Sequence, residues 1–267
     1  MLRIFTVVLS LALLVSPSNS KADGVSCELC DLRYKEYGGR EMGGSVLKGA
    51  YLFGADFSSS NLEGSDFESA NLVFSKFVRS DLSGSVLDKA DLNKSNLFGA
   101  TLRGVKGKFS DFSQAYIEAG ELTDANLSGG TFYETKLVSV FATRTNFSNA
   151  NMKSAVLENC KCQGADFSGA DLEGANLRGA DLRMSNLTGA NLEGADFSGA
   201  RLDYARLLSV KAEDSVFENA SLVGANLKNA NFKKANFKAA RLDSTLKQNT
   251  NFCEAVLPKD KIGACAE

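Results

Sequence analysis

A chain of 267 residues with 44% hydrophobic and 23% charged side chains can bury a substantial core, which excludes a disordered polypeptide. Its formal net charge of −2 gives no general attraction to nucleic acid or to an anionic membrane. It has no His and no Trp, so chemistry through a histidine-dependent triad is excluded, and its only prolines are Pro17 and Pro258.

The chain begins with Arg3, a short apolar run from Ile4 to Val15, and small residues at Ser18-Asn19-Ser20 and Ser20-Lys21-Ala22. This order reads as a secretory signal over residues 1–22, cleaved after Ala22 or, alternatively, after Ser20. The run is shorter than the roughly 20 apolar residues of a membrane helix. A retained anchor is the weaker reading, and no membrane span is expected in the mature chain. Removing residues 1–22 takes Lys plus Arg from 30 to 28 against 32 Asp plus Glu, or −4. Export to a periplasm is expected, with a thylakoid lumen or the extracellular space as alternatives.

Residues 23–44 are weakly patterned and are read as an N-terminal cap, although Cys30-Asp31-Leu32 already imitates the five-residue unit of the later chain. From Ser45 through Ala255, every residue whose number ends in 0 or 5 is Ala, Ser, Gly, Thr, Val or Cys. The stretch 165–199 shows the unit most plainly: ADFSG ADLEG ANLRG ADLRM SNLTG ANLEG ADFSG. Taking the central Leu or Phe as position i, 43 five-residue phrases run in one phase from Leu47 to Leu257. Such a unit cannot bury its own apolar side chain and must stack on copies of itself.

The departures at position i show which side chains share the interior. Where the centre is Gly107, Ala142 or Ala212, the residue at i−2 is Val105, Val140 or Val210, and those are the only valines at that position among the phrases. A large side chain lost at one site is replaced at the other, so i−2 and i both face a close-packed core. Two inward residues in five exclude a 3.6-residue helix and a long alternating strand, and describe a short extended side followed by a turn. The lack of Pro between Ser45 and Leu257 fits a backbone whose N–H groups are all engaged between stacked layers. Sorting centres by twenty gives a column from Leu62 to Leu242 with eight Leu and no Phe, while the other 33 centres hold 12 Phe, which supports four sides per coil.

The phrase in Ala170-Asp171-Leu172-Glu173-Gly174 and Ala190-Asn191-Leu192-Glu193-Gly194 resembles the pentapeptide repeat family, over about four fifths of the chain. The resemblance implies an all-β fold: a right-handed quadrilateral β-helix over residues 45–257, with about eleven coils and a rod length of about 50 Å. Caps over residues 23–44 and 258–267 would cover the ends.

Six cysteines in an exported chain favour disulfides. Cys253 with Cys265 is expected to close the C-terminal cap, and Cys27 with Cys30 to staple the N-terminal one in preference to acting as a redox motif. Cys160 and Cys162 fall on i−2 and i, and are expected as two separate buried thiols, because residues two apart on an extended face hold their β carbons far apart. Without histidine, no metal site is evident.

No catalytic, cofactor-binding or metal-binding residue is expected. The carboxylates at i−1, such as Asp166, Asp171, Asp181 and Asp196, recur with the phrase and are read as structural. The glycines of 164–199 are turn residues at spacing five, not a phosphate loop. Sequons such as Asn126-Leu127-Ser128 follow from the repeat and carry no weight. The candidate partner surface is Phe53, Val73, Phe74, Val78 and Phe98, at or beside outward positions of neighbouring coils. Lys228, Lys233, Lys234, Lys238 and Arg241 form a basic cluster, read as a solvated end in preference to a nucleic-acid or lipid site, and Leu246-Lys247 is a further irregularity.

The expected function is a non-catalytic exported scaffold or protein-interaction surface, with self-association through the solenoid ends. The alternative comes from the family resemblance: some members resemble duplex DNA in shape and charge and inhibit DNA gyrase. That role implies a cytosolic protein and a strongly acidic surface. Here many i−1 sites are Asn, as at Asn176, Asn186 and Asn191.

Overall fold

The computed structural model describes residues 24–265, so the expected signal over residues 1–22 lies outside the described residues. An unbroken series of parallel bridges joins each i−1 residue to the one twenty positions later, from Ser26↔Val46 to Asn236↔Val256. An offset of twenty gives four five-residue phrases per coil. The bridges begin within the segment read as a cap, at Ser26, Asp31, Glu36 and Glu41.

The backbone explains the lack of proline. The Leu47 N–H donates to the Asp66 carbonyl of the next coil at 2.7 Å, the Gly49 N–H to the Glu68 carbonyl at 2.8 Å, and the Asp66 N–H back to the Ser45 carbonyl at 2.7 Å. Within the phrase, the Ala50 N–H closes the turn onto the Leu47 carbonyl at 3.1 Å. A proline at any of these sites would forfeit a backbone hydrogen bond.

The turn places position i+2 in the left-handed region, and non-glycine residues occupy it repeatedly, for example Phe74 at φ 58° and Tyr204 at φ 61°. Glycine is required where the preceding coil leans over the turn. A β carbon on Gly54 would lie 2.8 Å from the Tyr34 ring, and one on Gly129 would lie 2.5 Å from the Phe109 ring.

The core is a column of centres. Phe197, Phe217 and Phe237 stack face to face with centroids 4.8 and 4.9 Å apart, and Phe57 stacks on Phe77 at 5.1 Å. Val105, Val140 and Val210 are buried, as are Ala142 and Ala212. Several serines at i−2 satisfy their hydroxyls locally, as Ser75 Oγ donates to the Leu72 carbonyl at 2.6 Å and Ser95 Oγ to the Leu92 carbonyl at 2.6 Å, whereas the buried Ser85 and Ser185 hydroxyls have no partner among the described residues.

After the last bridge the chain leaves the repeat. Strand β1 (Val256–Leu257) pairs antiparallel with β2 (Lys261–Ile262), connected by a single 3-10 turn (Pro258–Asp260) with Pro258 at its start. Gly263 then passes against the Phe252 backbone so closely that a β carbon would overlap the Phe252 carbonyl oxygen, 1.8 Å away.

Candidate interaction surface

The recurring Asp and Asn at i−1 have a structural task. Their Oδ1 accepts the backbone N–H two residues on, as in Asp66 from Glu68 at 2.8 Å, Asp166 from Ser168 at 2.9 Å and Asn126 from Ser128 at 3.3 Å. This side-chain bond bridges from the extended side into the turn, which is why the short polar pair Asp/Asn is selected there. Asn186 and Asn191 also reach back to Asp166 and Asp171 one coil earlier, both at 3.0 Å. The repeated carboxylates are thereby turn braces.

Carboxylates at i−1 and at other outward positions of the phrase also meet cations. Arg144 holds Asp124 through two bonds of 2.7 Å, Lys153 reaches Glu173 at 2.7 Å, and Arg178 reaches Asp196 at 2.9 Å. For the largely buried Asp181, burial opposes ionisation. The Arg183 side-chain and backbone bonds, with the charges of Arg183 and Arg201, outweigh it and hold the carboxyl below its ordinary range. The exposed Asp31, bonded by Arg33, is lowered to about 2. A carboxyl depressed in the fold stabilises it above the unfolded pKa, and that contribution is lost as pH falls through the folded value. Stability is therefore expected to hold down to about pH 5 and to fall between about pH 4 and pH 2, which urea titrations at stepped pH will show. An unchanged midpoint across that window would contradict the depression of these groups.

The six cysteines form three pairs at bonding distance. Cys27 with Cys30 and Cys253 with Cys265 pair as the sequence suggests, with Cα atoms 5.5 and 4.2 Å apart. Cys160 and Cys162 correct the expectation of separate thiols: they too are paired, fully buried, with Cα atoms 5.6 Å apart. That separation is within disulfide reach, because both side chains turn into the same interior instead of standing apart along a flat strand. Glu254 lies beside the Cys253–Cys265 pair, but sulfurs committed to one another are not thiolate ligands for a metal.

The outer aromatic residues are brought together along one corner. Tyr34 contacts Phe53 edge to face at 5.5 Å, Phe53 contacts Phe74 likewise at 5.5 Å, and the Lys94 ammonium sits 5.5 Å from the Phe74 ring centre. Val73 is half-buried beside them, and Phe74 is 50% exposed. The corner continues into a shallow open groove lined by Phe74, Lys94, Gln114, Tyr116, Glu134 and Lys136. The Gln114 amide donates to Glu134 at 2.8 Å within it. Val78 and Phe98 belong to the neighbouring side, and no ring contact among the described residues links Phe98 to this series. Tyr34 and Tyr116 are the members that the sequence reading lacked. The signal for Tyr34 is a residue number twenty less than Gly54, over which its ring lies. Near the C-terminal end, Lys233 and Lys234 share Glu213 at 3.5 and 3.8 Å, and Lys228, Lys238 and Lys247 make no ion pair among the described residues.

The family profile described as Pentapeptide repeats matches the sequence in 8 copies, over residues 41–68, 65–104, 150–189, 175–207, 185–219 and 213–246. Curated proteins give no match to the chain. Among solved structures, the chain resembles HetL, a pentapeptide repeat protein involved in heterocyst differentiation regulation from the cyanobacterium Nostoc sp. strain PCC 7120. The identity is 25% over 90% of this chain and 94% of that one, with a TM-score of 0.61. It also resembles trypsin-treated QnrB1, a plasmid-mediated fluoroquinolone resistance protein, at 17% identity over 62% of this chain and 88% of that one, with a TM-score of 0.51. That second likeness concerns the fold alone.

Proposed function

Because the chain belongs to the pentapeptide repeat family, we propose that it is an exported, non-catalytic β-solenoid scaffold whose aromatic corner receives a protein partner. The observation that carries this reading is the continuous apolar corner of Tyr34, Phe53, Val73 and Phe74, opening into the groove at Tyr116. Rigid aromatic side chains give large contact area at low entropic cost, and such clusters mark partner sites when contiguous. The right hand of the coil and a count of about eleven coils between the caps belong to the same reading. The pairing of all six cysteines supports an oxidising compartment, as in a periplasm. N-terminal sequencing of fractionated cells is expected to find a mature chain that begins at Asp23, or at Lys21 after the alternative cut.

The partner reading is tested with Phe53→Asp/Phe74→Asp. A partner captured from envelope extract by the native protein is expected to bind the variant at least about tenfold more weakly, since hot-spot losses are typically about 2 kcal/mol or more. Circular dichroism is expected to be unchanged, because both side chains lie outside the core. Capture of nothing, or equal capture by both forms, would remove the proposal's support. Self-association through the ends would appear as a doubled mass in light scattering. The DNA-mimic alternative is weakened by cross-coil pairs such as Lys48–Glu68 and Arg144–Asp124, which neutralise the acidic residues it would display. In a supercoiling assay, no inhibition by the mature protein is expected at micromolar concentration.

A further inference from the structure

The basic residues near the C-terminal end are not a patch on one side. Lys228 and Lys247 stand on one side of the coil, Lys233 and Lys234 on the next, Lys238 on the third and Arg241 on the fourth, as the bridges through Asn226, Asn231, Asn236 and Ser221 place them. Between residues 224 and 247 there are 6 Lys and Arg against the single carboxylate of Asp243, whereas residues 164–223 carry 5 against 10. The solenoid thus wears a positive collar next to its end, directly after its most acidic stretch.

Two further features of that end point to the same ligand chemistry. One coil earlier, the N–H groups of Leu222, Gly224, Leu227 and Asn229 donate to the carbonyls of Arg241, Asp243, Leu246 and Gln248 at 2.8–3.0 Å. Their equivalents at the tip, on Leu242, Ser244, Lys247 and Asn249, have no acceptor among the described residues. Per phrase, this end turns two N–H groups outward (those of i and i+2) for one carbonyl (that of i−2), so its backbone adds to the positive potential. Apolar side chains are also exposed around that end: Ile262 is 66% exposed and Leu246, at an outward i−1 position, 43%, while the end centres Leu242, Phe252 and Leu257 are only partly buried.

We propose that the C-terminal end of the solenoid docks end-on against a phospholipid bilayer of negative surface charge. A ring of cations around one axis matches a plane perpendicular to that axis, which a lipid surface offers. Outward N–H groups suit phosphate oxygens, and the exposed Ile262 and Leu246 reach the acyl boundary. Each cation brought to such a surface strengthens binding about fivefold. The collar also sets like charge against like in a tail-to-tail pair of copies, which disfavours that occupant.

The test is co-sedimentation of the mature protein with vesicles of mixed phosphatidylcholine and phosphatidylglycerol, against phosphatidylcholine alone. Binding is expected only with phosphatidylglycerol and is expected to fall steeply with salt. Lys238→Glu/Lys247→Glu, both at exposed sites, is expected to weaken it by about a hundredfold or more while thermal unfolding is unchanged. Since the protein has no Trp, single probes report orientation: Ile262→Trp is expected to shift its emission to the blue on the vesicles, and Tyr34→Trp at the far end to stay unshifted. Absence of binding at low salt, equal binding to neutral vesicles, a blue shift at position 34, or a mass doubling without lipid that the charge reversal abolishes would each overturn the proposal.

Discussion

Phe217→Ala is expected to lower the free energy of unfolding by about 3–5 kcal/mol. The ring is wholly buried, lies between Phe197 and Phe237 at near-parallel angles of 2° and 6°, and meets Phe232 edge-on at 5.6 Å. Each neighbour is fixed by the inter-coil bonds of its own coil, so the column cannot close over the void and the cavity cost is added to the lost burial. Phe252→Ala, at the partly exposed end of the neighbouring Phe232–Phe252 stack, is expected to cost about half as much. Because a solenoid is held by nearest-neighbour interfaces, Phe217→Ala is also expected to divide unfolding into two steps and to lower the apparent urea dependence. Equilibrium unfolding followed by circular dichroism reads both effects. A loss below about 1 kcal/mol would mean that the column relaxes into the space.

The second large effect is expected at Gly107. A β carbon there would lie 2.9 Å from Leu127 Cδ2, 3.3 Å from Ser110 Oγ and 3.6 Å from Leu87 Cβ, so the space an ordinary centre would fill is already occupied. Gly107→Leu is expected to destabilise the chain by about 1–3 kcal/mol through overpacking. If Val105 is the compensating volume, Val105→Ala should recover part of that loss in the double variant although it is destabilising alone. A coupling energy of about 0.5–3 kcal/mol is expected from the cycle. Strict additivity would show that the Val105/Gly107 pairing is not a volume exchange and that Leu87 and Leu127 alone fill the gap.

The repeat made much of the fold legible. Its phase gave the inward pair i−2 and i, and the buried valines at 105, 140 and 210 agree with the reading drawn from Gly107, Ala142 and Ala212. What the letters could not convey was how the phrase bends. The bend brings Cys160 and Cys162 into one interior pair, and it turns the Asp or Asn at i−1 toward the N–H of i+1. Both depend on backbone direction within three residues, on which a periodic pattern is silent. The interaction corner was legible by half. Phe53, Val73 and Phe74 stand at outward positions of visible phrases, but Tyr34 lies where the pattern is weak and Tyr116 sits among residues that usually brace turns. The basic cluster shows the same limit, since adjacency in the chain suggested one patch while the coil spreads its members over four sides.

Every parallel bridge in the described residues spans the same twenty positions, and this constrains how the gene can change length. Loss of a single five-residue phrase would keep the local pattern intact and yet rotate everything downstream by one side. The phenylalanine column would then run into the leucine column, and the glycines beneath Tyr34 or Phe109 would move from under their rings. Duplication or deletion of a whole coil leaves each column in line and every turn the same size. Viable length variants should therefore differ by complete coils, and a duplication would lengthen the spacing between the aromatic corner and the basic end without disturbing either.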